Sequence, residues 1–141
     1  PEETYIIPAP NEKIQLNTLT ELFKENSDSV VELLVLSACE TAEGDRRAIL
    51  GLAGITTIRS GTRSTLGSLW SVDDESTAIF MRRFYEELLR TSGSSETRVN
   101  KAEALRNTQL AFLEEDKRDI YTPYRWAPFI LVGDWQTKLI P

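Results

Sequence analysis

The feature that most constrains this sequence is an apolar run at residues 30–36 that ends abruptly in small and polar residues. Apart from Glu32, every position of the run is Val or Leu, and Ser37-Ala38-Cys39 follows. A run without polar alternation is typical of a strand that is buried on both faces of a sheet and covered by helices. Because ligands and catalytic groups collect beyond the carboxyl ends of strands in open α/β sheets, Cys39 is the first candidate functional residue.

Composition excludes several classes of protein. The 141 residues are 40% hydrophobic and 27% charged, which suits one globular domain. No apolar stretch approaches the roughly 20 residues that span a bilayer, and the net charge of −6 argues against nucleic acid or a membrane surface as the main partner. A single cysteine cannot form an internal disulfide, so we expect a reducing, intracellular setting. No phosphate-binding loop or Cys/His cluster is present, so we expect no metal or organic cofactor.

Strand and helix patterns alternate along the chain. Turn residues at 8–12 separate two short strand-like runs and predict a hairpin, and the capping-box pattern Thr18-Leu19-Thr20-Glu21 predicts a short helix. A helix over about residues 46–60, capped by Gly61, leads to a second buried strand at 65–70. Together with the first strand, this helix and strand predict a parallel βαβ unit.

Two amphipathic helices and a final strand follow. The first helix begins at Asp73 or Asp74 as its N-cap, and the second covers about residues 101–113. The residues predicted to face the core are Ile79, Phe80, Met81, Phe84, Tyr85, Leu88 and Leu89 in the first helix and Ala102, Leu105, Leu110, Phe112 and Leu113 in the second. An apolar run at 126–134 predicts the last strand, which Pro128 places at a sheet edge. This order predicts a three-layer α/β/α sandwich with a mostly parallel sheet.

Cys39 has both an ordinary interpretation and a chemical one. Free cysteine is among the most buried residue types and often only packs in a core. Here residues 40–44 are polar or small, so the sulfur is expected at a strand exit that a substrate can reach and where backbone amides can stabilise an oxyanion. Formation of the thiolate requires a base, usually histidine, and the chain contains no histidine.

Acidic residues follow the second buried strand at the same edge of the predicted sheet. Asp73, Asp74 and Glu75 suit the N-terminus of the next helix, where a cap contributes about 1 kcal/mol. One cap does not require several carboxylates, and a further carboxylate near Cys39 suits the binding of an Arg or Lys side chain. Trp70, at the strand end, suits either the core or the wall of such a pocket.

Five motifs occur in order along the chain. They are Leu34-Val35-Leu36-Ser37-Ala38-Cys39-Glu40-Thr41-Ala42, Gly51-Leu52-Ala53, Leu69-Trp70-Ser71-Val72-Asp73-Asp74-Glu75-Ser76-Thr77-Ala78, Lys101-Ala102-Glu103-Ala104-Leu105-Arg106 and Trp126-Ala127-Pro128-Phe129-Ile130-Leu131-Val132-Gly133-Asp134. Over about residues 18–135, these motifs resemble the CHAT family. That family comprises caspase-like domains, often found behind tetratricopeptide repeats and related to separase.

The resemblance implies a caspase-like fold and a peptidase with a Cys/His dyad. It assigns Cys39 as the nucleophile, whose backbone amide helps to form the oxyanion hole. It assigns Asp74, or else Asp73, to bind a basic side chain before the scissile bond. The histidine of such domains follows the preceding strand in a His-Gly motif. The resemblance therefore identifies residues 1–141 as the carboxyl-terminal half of one CHAT domain, whose upstream half carries the histidine.

The expected function is that of a cysteine endopeptidase that cleaves a protein substrate after Arg or Lys, within a larger bacterial protein that contains tetratricopeptide repeats. Without histidine, this chain alone is expected to be inactive. One alternative is a catalytically inactive, caspase-like interaction module of a signalling or defence protein. Another is a flavodoxin-like domain with a phosphorylated ligand, against which the lack of a Gly-rich loop argues. The open sheet edge beside the Cys39 strand also predicts pairing with a second copy.

Overall fold

The computed structural model describes residues 5–9, 12–15, 18, 21, 30–36, 54, 61–90, 99–115 and 123–136. In chain order the elements are β1 (Tyr5–Ala9), β2 (Glu12–Gln15), β3 (Leu34–Leu36), β4 (Ser64–Ser68), α1 (Asp74–Leu89), α2 (Lys101–Glu115), α3 (Pro123–Trp126) and β5 (Phe129–Gly133). The predicted hairpin is confirmed, because β1 and β2 pair in antiparallel orientation. Its register shifts between Ile6 and Ala9, where Pro8 has no N–H to donate to the ladder.

The remaining strands form a sheet in the order β3-β4-β5. The first two pair in parallel, from Leu34 opposite Thr65 to Leu36 opposite Gly67, which confirms their predicted orientation. The predicted helix at 46–60 lies outside the described residues except for Gly54, which is helical. Gly61, predicted to cap that helix, has a φ of +70°, in the left-handed region that favours glycine. The α/β class is therefore confirmed.

The sheet differs from the prediction in the direction of its last strand. β5 runs antiparallel to β4, so the described sheet has one parallel and one antiparallel pair instead of being mostly parallel. The reason lies in the two preceding helices, which run antiparallel to each other: Phe80 contacts Phe112, whereas Glu87, later in α1, accepts from Asn107, earlier in α2. Two consecutive helices return the chain to the carboxyl end of β4, so the next strand has to run the opposite way. The three-layer arrangement stays a prediction.

The core lies between this sheet and the two long helices. All five residues of β4 are buried, and α1 buries Ser76, Phe80, Phe84 and Leu88 at four-residue intervals. The Phe80 ring stacks on Phe129 of β5, with 3.9 Å between the ring centroids. Four predicted core residues are instead exposed: Tyr85, Leu89, Leu110 and Leu113. At 100° per residue these side chains lie outside the narrow buried stripe of their helix, so they are exposed although they are apolar.

The strand β3, which lies in the apolar run at residues 30–36, is less buried than predicted. Residues 31–36 are all half-buried, because β3 lies at an edge of the described sheet and is not flanked there on both sides. The structure thus shows half-burial where burial on both faces was predicted. Within the described residues, no helix has both the length and the apolar character needed to cross a membrane.

Candidate active site

The carboxyl ends of β3 and β4 lie side by side. Leu36 is opposite Gly67 in the parallel register. In the sequence, Cys39 comes three residues after Leu36, and Trp70 comes three residues after Gly67. Cys39 itself lies outside the described residues, so its role as nucleophile stays a prediction. The acidic segment after β4 and Trp70 are described.

Trp70 is fixed at the end of β4 by a short helix. Its indole Nε1 donates to the backbone oxygen of Tyr124 at 2.8 Å, and the two rings lie 5.9 Å apart at 30°. Trp70 is half-buried and also packs against the core. The packing role considered from the sequence is therefore confirmed, whereas a role as the wall of a substrate pocket stays a prediction.

Asp73 is the N-cap of α1. Its Oδ1 accepts from the backbone N–H of Ser76 at 2.9 Å, and its Oδ2 lies 3.5 Å from Nε of Arg125. The amide of Ser76, followed by the Ser76 hydroxyl and the charge of Arg125, holds the pKa of Asp73 below its usual value. Because both carboxylate oxygens have partners, helix capping together with one exposed ion pair accounts for Asp73.

Asp74 is placed differently from its neighbour. It is the first residue of α1 and is exposed, as is Glu75. Within the described part of the chain, no hydrogen bond or ion pair of the Asp74 side chain is found, whereas Asp73 has both. The capping interpretation therefore accounts for one aspartate and leaves the other at the surface beside the end of β4.

Tyr124 and Arg125 are neighbours of this site that the sequence did not reveal. Pro123–Trp126 forms the single-turn helix α3, although Trp126 was predicted to begin the last strand. Pro123 at its first position was the available signal, because proline is favoured there. What brings α3 to Trp70 and Asp73 is the reversal of the chain before β5, which only the tertiary structure shows.

A second charged cluster lies at the opposite end of the sheet. The side chain of Lys101 is fully buried, and its Nζ donates to the backbone oxygens of Glu32 at 2.8 Å and Asp134 at 3.4 Å. The Glu32 carboxylate lies 3.7 Å from this Nζ and 3.0 Å from Nε of Arg63. Burial lowers the pKa of Lys101, against the opposing effect of Glu32. The cluster joins the start of β3 and β4 to the end of β5, away from Trp70.

This buried lysine was also missed by sequence reasoning. A cation at the first position of a helix opposes the helix dipole, and that unfavourable placement was the available signal. Among the described residues, no group of three or more His, Cys, Asp or Glu side chains is arranged to hold a metal ion.

Comparisons with known proteins place the chain in a family. Residues 1–134 match the CHAT domain. Neither the comparison with curated proteins nor that with solved structures found a match. The matched region contains both sheet strands that lead to the candidate site and the whole acidic segment. The chain therefore belongs to the CHAT domain family, whose domains are caspase-like.

Proposed function

We propose that this domain is a cysteine endopeptidase of the Cys/His type, with Cys39 as its nucleophile. The observation that carries the proposal is the parallel register of β3 and β4. Because the two strands end side by side, the segment that contains Cys39 and the acidic segment leave the sheet at neighbouring positions. Family membership adds a caspase-like framework, in which such a site suits peptide hydrolysis. We place the domain in a larger bacterial cytoplasmic protein with tetratricopeptide repeats.

In the proposed reaction, the thiolate of Cys39 attacks the carbonyl carbon of the scissile peptide bond. The amine leaves with a proton from the histidinium, and a thioester to Cys39 remains. Water then attacks the thioester while the neutral imidazole takes one of its protons; the C–S bond breaks, and the thiolate is released with the carboxylic acid product, which loses its proton to solvent. The 141 residues contain no histidine, so the imidazole has to come from a segment outside this sequence.

Specificity for Arg or Lys is proposed to come from Asp74. Its carboxylate is exposed beside the end of β4, whereas Asp73 is engaged by Ser76 and Arg125. The fixed indole of Trp70 supplies a flat wall along which the methylene groups of a long basic side chain can pack. A charge-assisted hydrogen bond from a guanidinium to Asp74 would then select the residue before the scissile bond.

The nucleophile is tested on the full-length protein and its Cys39→Ala variant. Each is treated with a fluorescent peptide electrophile that carries Arg before the reactive group, and with a matched probe that carries Asp. Labelling by the Arg probe that disappears in Cys39→Ala is the expected result. Equal labelling of the variant would refute the assignment of Cys39.

The selector is tested with Asp74→Asn, which keeps the shape of the side chain and removes its charge. We expect kcat/KM on an Arg substrate to fall by about tenfold or more, which corresponds to about 1.4 kcal/mol of lost charge-assisted bonding. Glu86→Gln, an exposed position in the last turn of α1, is the matched control. An unchanged kcat/KM in Asp74→Asn would exclude this role.

The alternative function is a caspase-like interaction module without catalysis. A full-length sequence without a His-Gly motif upstream of residue 1 would favour it, and the ion pair in which Arg125 already engages Asp73 is compatible with it. A folded full-length protein that no electrophilic probe labels at Cys39, with candidate partners present, would support this alternative over the peptidase.

A further inference from the structure

A groove with a cavity volume of about 460 Å³ lies between α2 and β5. This size is within the usual range of ligand-binding clefts, roughly 300–1,000 Å³. Its walls include Ala102 and Leu105 from the helix, Leu131 from the strand and the half-exposed ring of Trp135. Arg106, which is exposed, is the one charged side chain among the described residues that line the groove.

The floor of this groove is the outer edge of β5. The bonds from Leu69 N to Pro128 O at 3.0 Å and from Asp134 N to Arg63 O at 2.7 Å fix which residues face β4. By antiparallel alternation, the backbone N–H and C=O groups of residues 129, 131 and 133 point away from β4. Accordingly, Gln109 of α2 donates to the outward oxygen of Phe129 at 3.1 Å. In the described sheet, no strand pairs with this edge. The backbone N–H and C=O groups of Leu131 therefore face the groove side as a donor and an acceptor.

We propose that the groove and the β5 edge bind an extended peptide segment with alternating apolar residues and one carboxylate. A sheet edge beside a helix is a geometry for strand addition, in which backbone hydrogen bonds give affinity and alternate side chains enter the groove. Charge complementarity identifies the carboxylate, because Arg106 lines the groove without an acidic neighbour among its described lining residues.

Charge also argues against a second copy of this chain as the occupant. Symmetric pairing of two β5 strands would bring two Arg106 side chains to one interface, and the described lining residues of the groove include no carboxylate to pair with them. The groove shares no lining residue with the candidate active site, which is built from Trp70, Asp73, Asp74, Tyr124 and Arg125. The inference therefore does not depend on the proposed peptidase function.

Binding is tested with the full-length protein carrying Cys39→Ala, so that no peptide is cleaved. The probes are fluorescein-labelled hexapeptides of alternating Val and Thr with a single Glu, a counterpart with Lys in place of Glu, and a counterpart with alternate backbone nitrogens methylated. By fluorescence anisotropy, we expect the Glu peptide to bind at least about fivefold more tightly than the Lys peptide. The methylated peptide is expected to bind weakly, because it has lost the donors that strand addition uses.

The Arg106→Glu substitution is expected to lower the affinity for the Glu peptide by about fivefold or more and to raise the affinity for the Lys peptide. Arg82→Glu, an exposed position on α1, is the matched control and is expected to leave both affinities unchanged. Circular dichroism checks that each variant is folded. Equal binding of the three peptides, no effect of Arg106→Glu, or no binding of the Glu peptide would overturn the proposal. A dimer that the Glu peptide dissociates would overturn it as well, by assigning the edge to a second copy.

Discussion

The charged cluster of Lys101, Glu32 and Arg63, at the end of the sheet opposite Trp70, can be tested by one substitution, at Lys101. Its buried Nζ is shared between the backbone oxygens of Glu32 and Asp134, which lie just before β3 and just after β5. Lys101→Met keeps an unbranched chain of similar length and removes this donor. Both oxygens then lose a charged partner, so we expect the variant to be less stable.

The magnitude follows from opposing contributions. Hydrogen bonds to a charged group contribute about 1.5–3 kcal/mol each, whereas removing the buried ammonium recovers part of its desolvation cost. Glu32 keeps its ion pair with Arg63, and its backbone oxygen still accepts from Ser64 Oγ at 2.8 Å. The loss should therefore be smaller than the 3–5 kcal/mol typical of a broken buried pair, at about 2 kcal/mol.

Urea denaturation of the Lys101→Met variant measures this loss. An exposed substitution, Arg82→Met on α1, is the control and should change the free energy of unfolding by less than about 0.5 kcal/mol. If Lys101→Met were as stable as the wild type or more so, the desolvation cost would outweigh the hydrogen bonds, and the reasoning would be refuted.

The pH dependence gives a second readout of the same residue. Burial lowers the pKa of Lys101 below its ordinary value of 10.5, so between these two values the unfolded chain binds more protons than the folded one. Stability contributed by Lys101 therefore rises with pH across that window. Because methionine does not titrate, the stability difference between the wild type and Lys101→Met should grow as the pH approaches 10.5. A difference that stays constant would contradict the burial argument.

Three further predictions concern α1 and α2. Asp73→Ala should cost about 1 kcal/mol in urea denaturation because the Ser76 amide loses its acceptor, whereas Asp74→Ala should cost only a few tenths. Since the pKa of Asp73 in the folded protein lies below 3.8, the stability that this carboxylate contributes is present above pH 3.8 and should disappear as the pH falls through the folded pKa. A stability difference between the wild type and Asp73→Ala that persists in acid would contradict this. Phe80→Ala should cost about 3–5 kcal/mol because its ring is fully buried in an aromatic stack, while Leu113→Gln, at 48% exposure, should change stability by less than about 0.5 kcal/mol. Thermal unfolding of the last two variants compares them directly, and similar melting temperatures would be inconsistent with this core.

Local patterns predicted much of the fold and part of the candidate site. The parallel pairing of β3 and β4, an N-cap of α1 at Asp73 or Asp74 and the buried character of β4 were all anticipated. These features depend on residues close in sequence, because a cap bonds three positions ahead and a strand pattern repeats every two residues. The direction of β5 was not anticipated, since it depends on the antiparallel packing of two helices in succession.

The sequence by itself determined the family, the position of Cys39 after an apolar strand, and the acidic segment that begins a helix. Only the tertiary structure decided that Asp73 is occupied while Asp74 is exposed, because Arg125 reaches Asp73 from a helix about fifty residues away in the chain. It also decided that Lys101 is buried while Leu113 is exposed. Apolar character and charge are properties of single residues, but burial depends on what packs against each of them, and those neighbours are distant in the sequence.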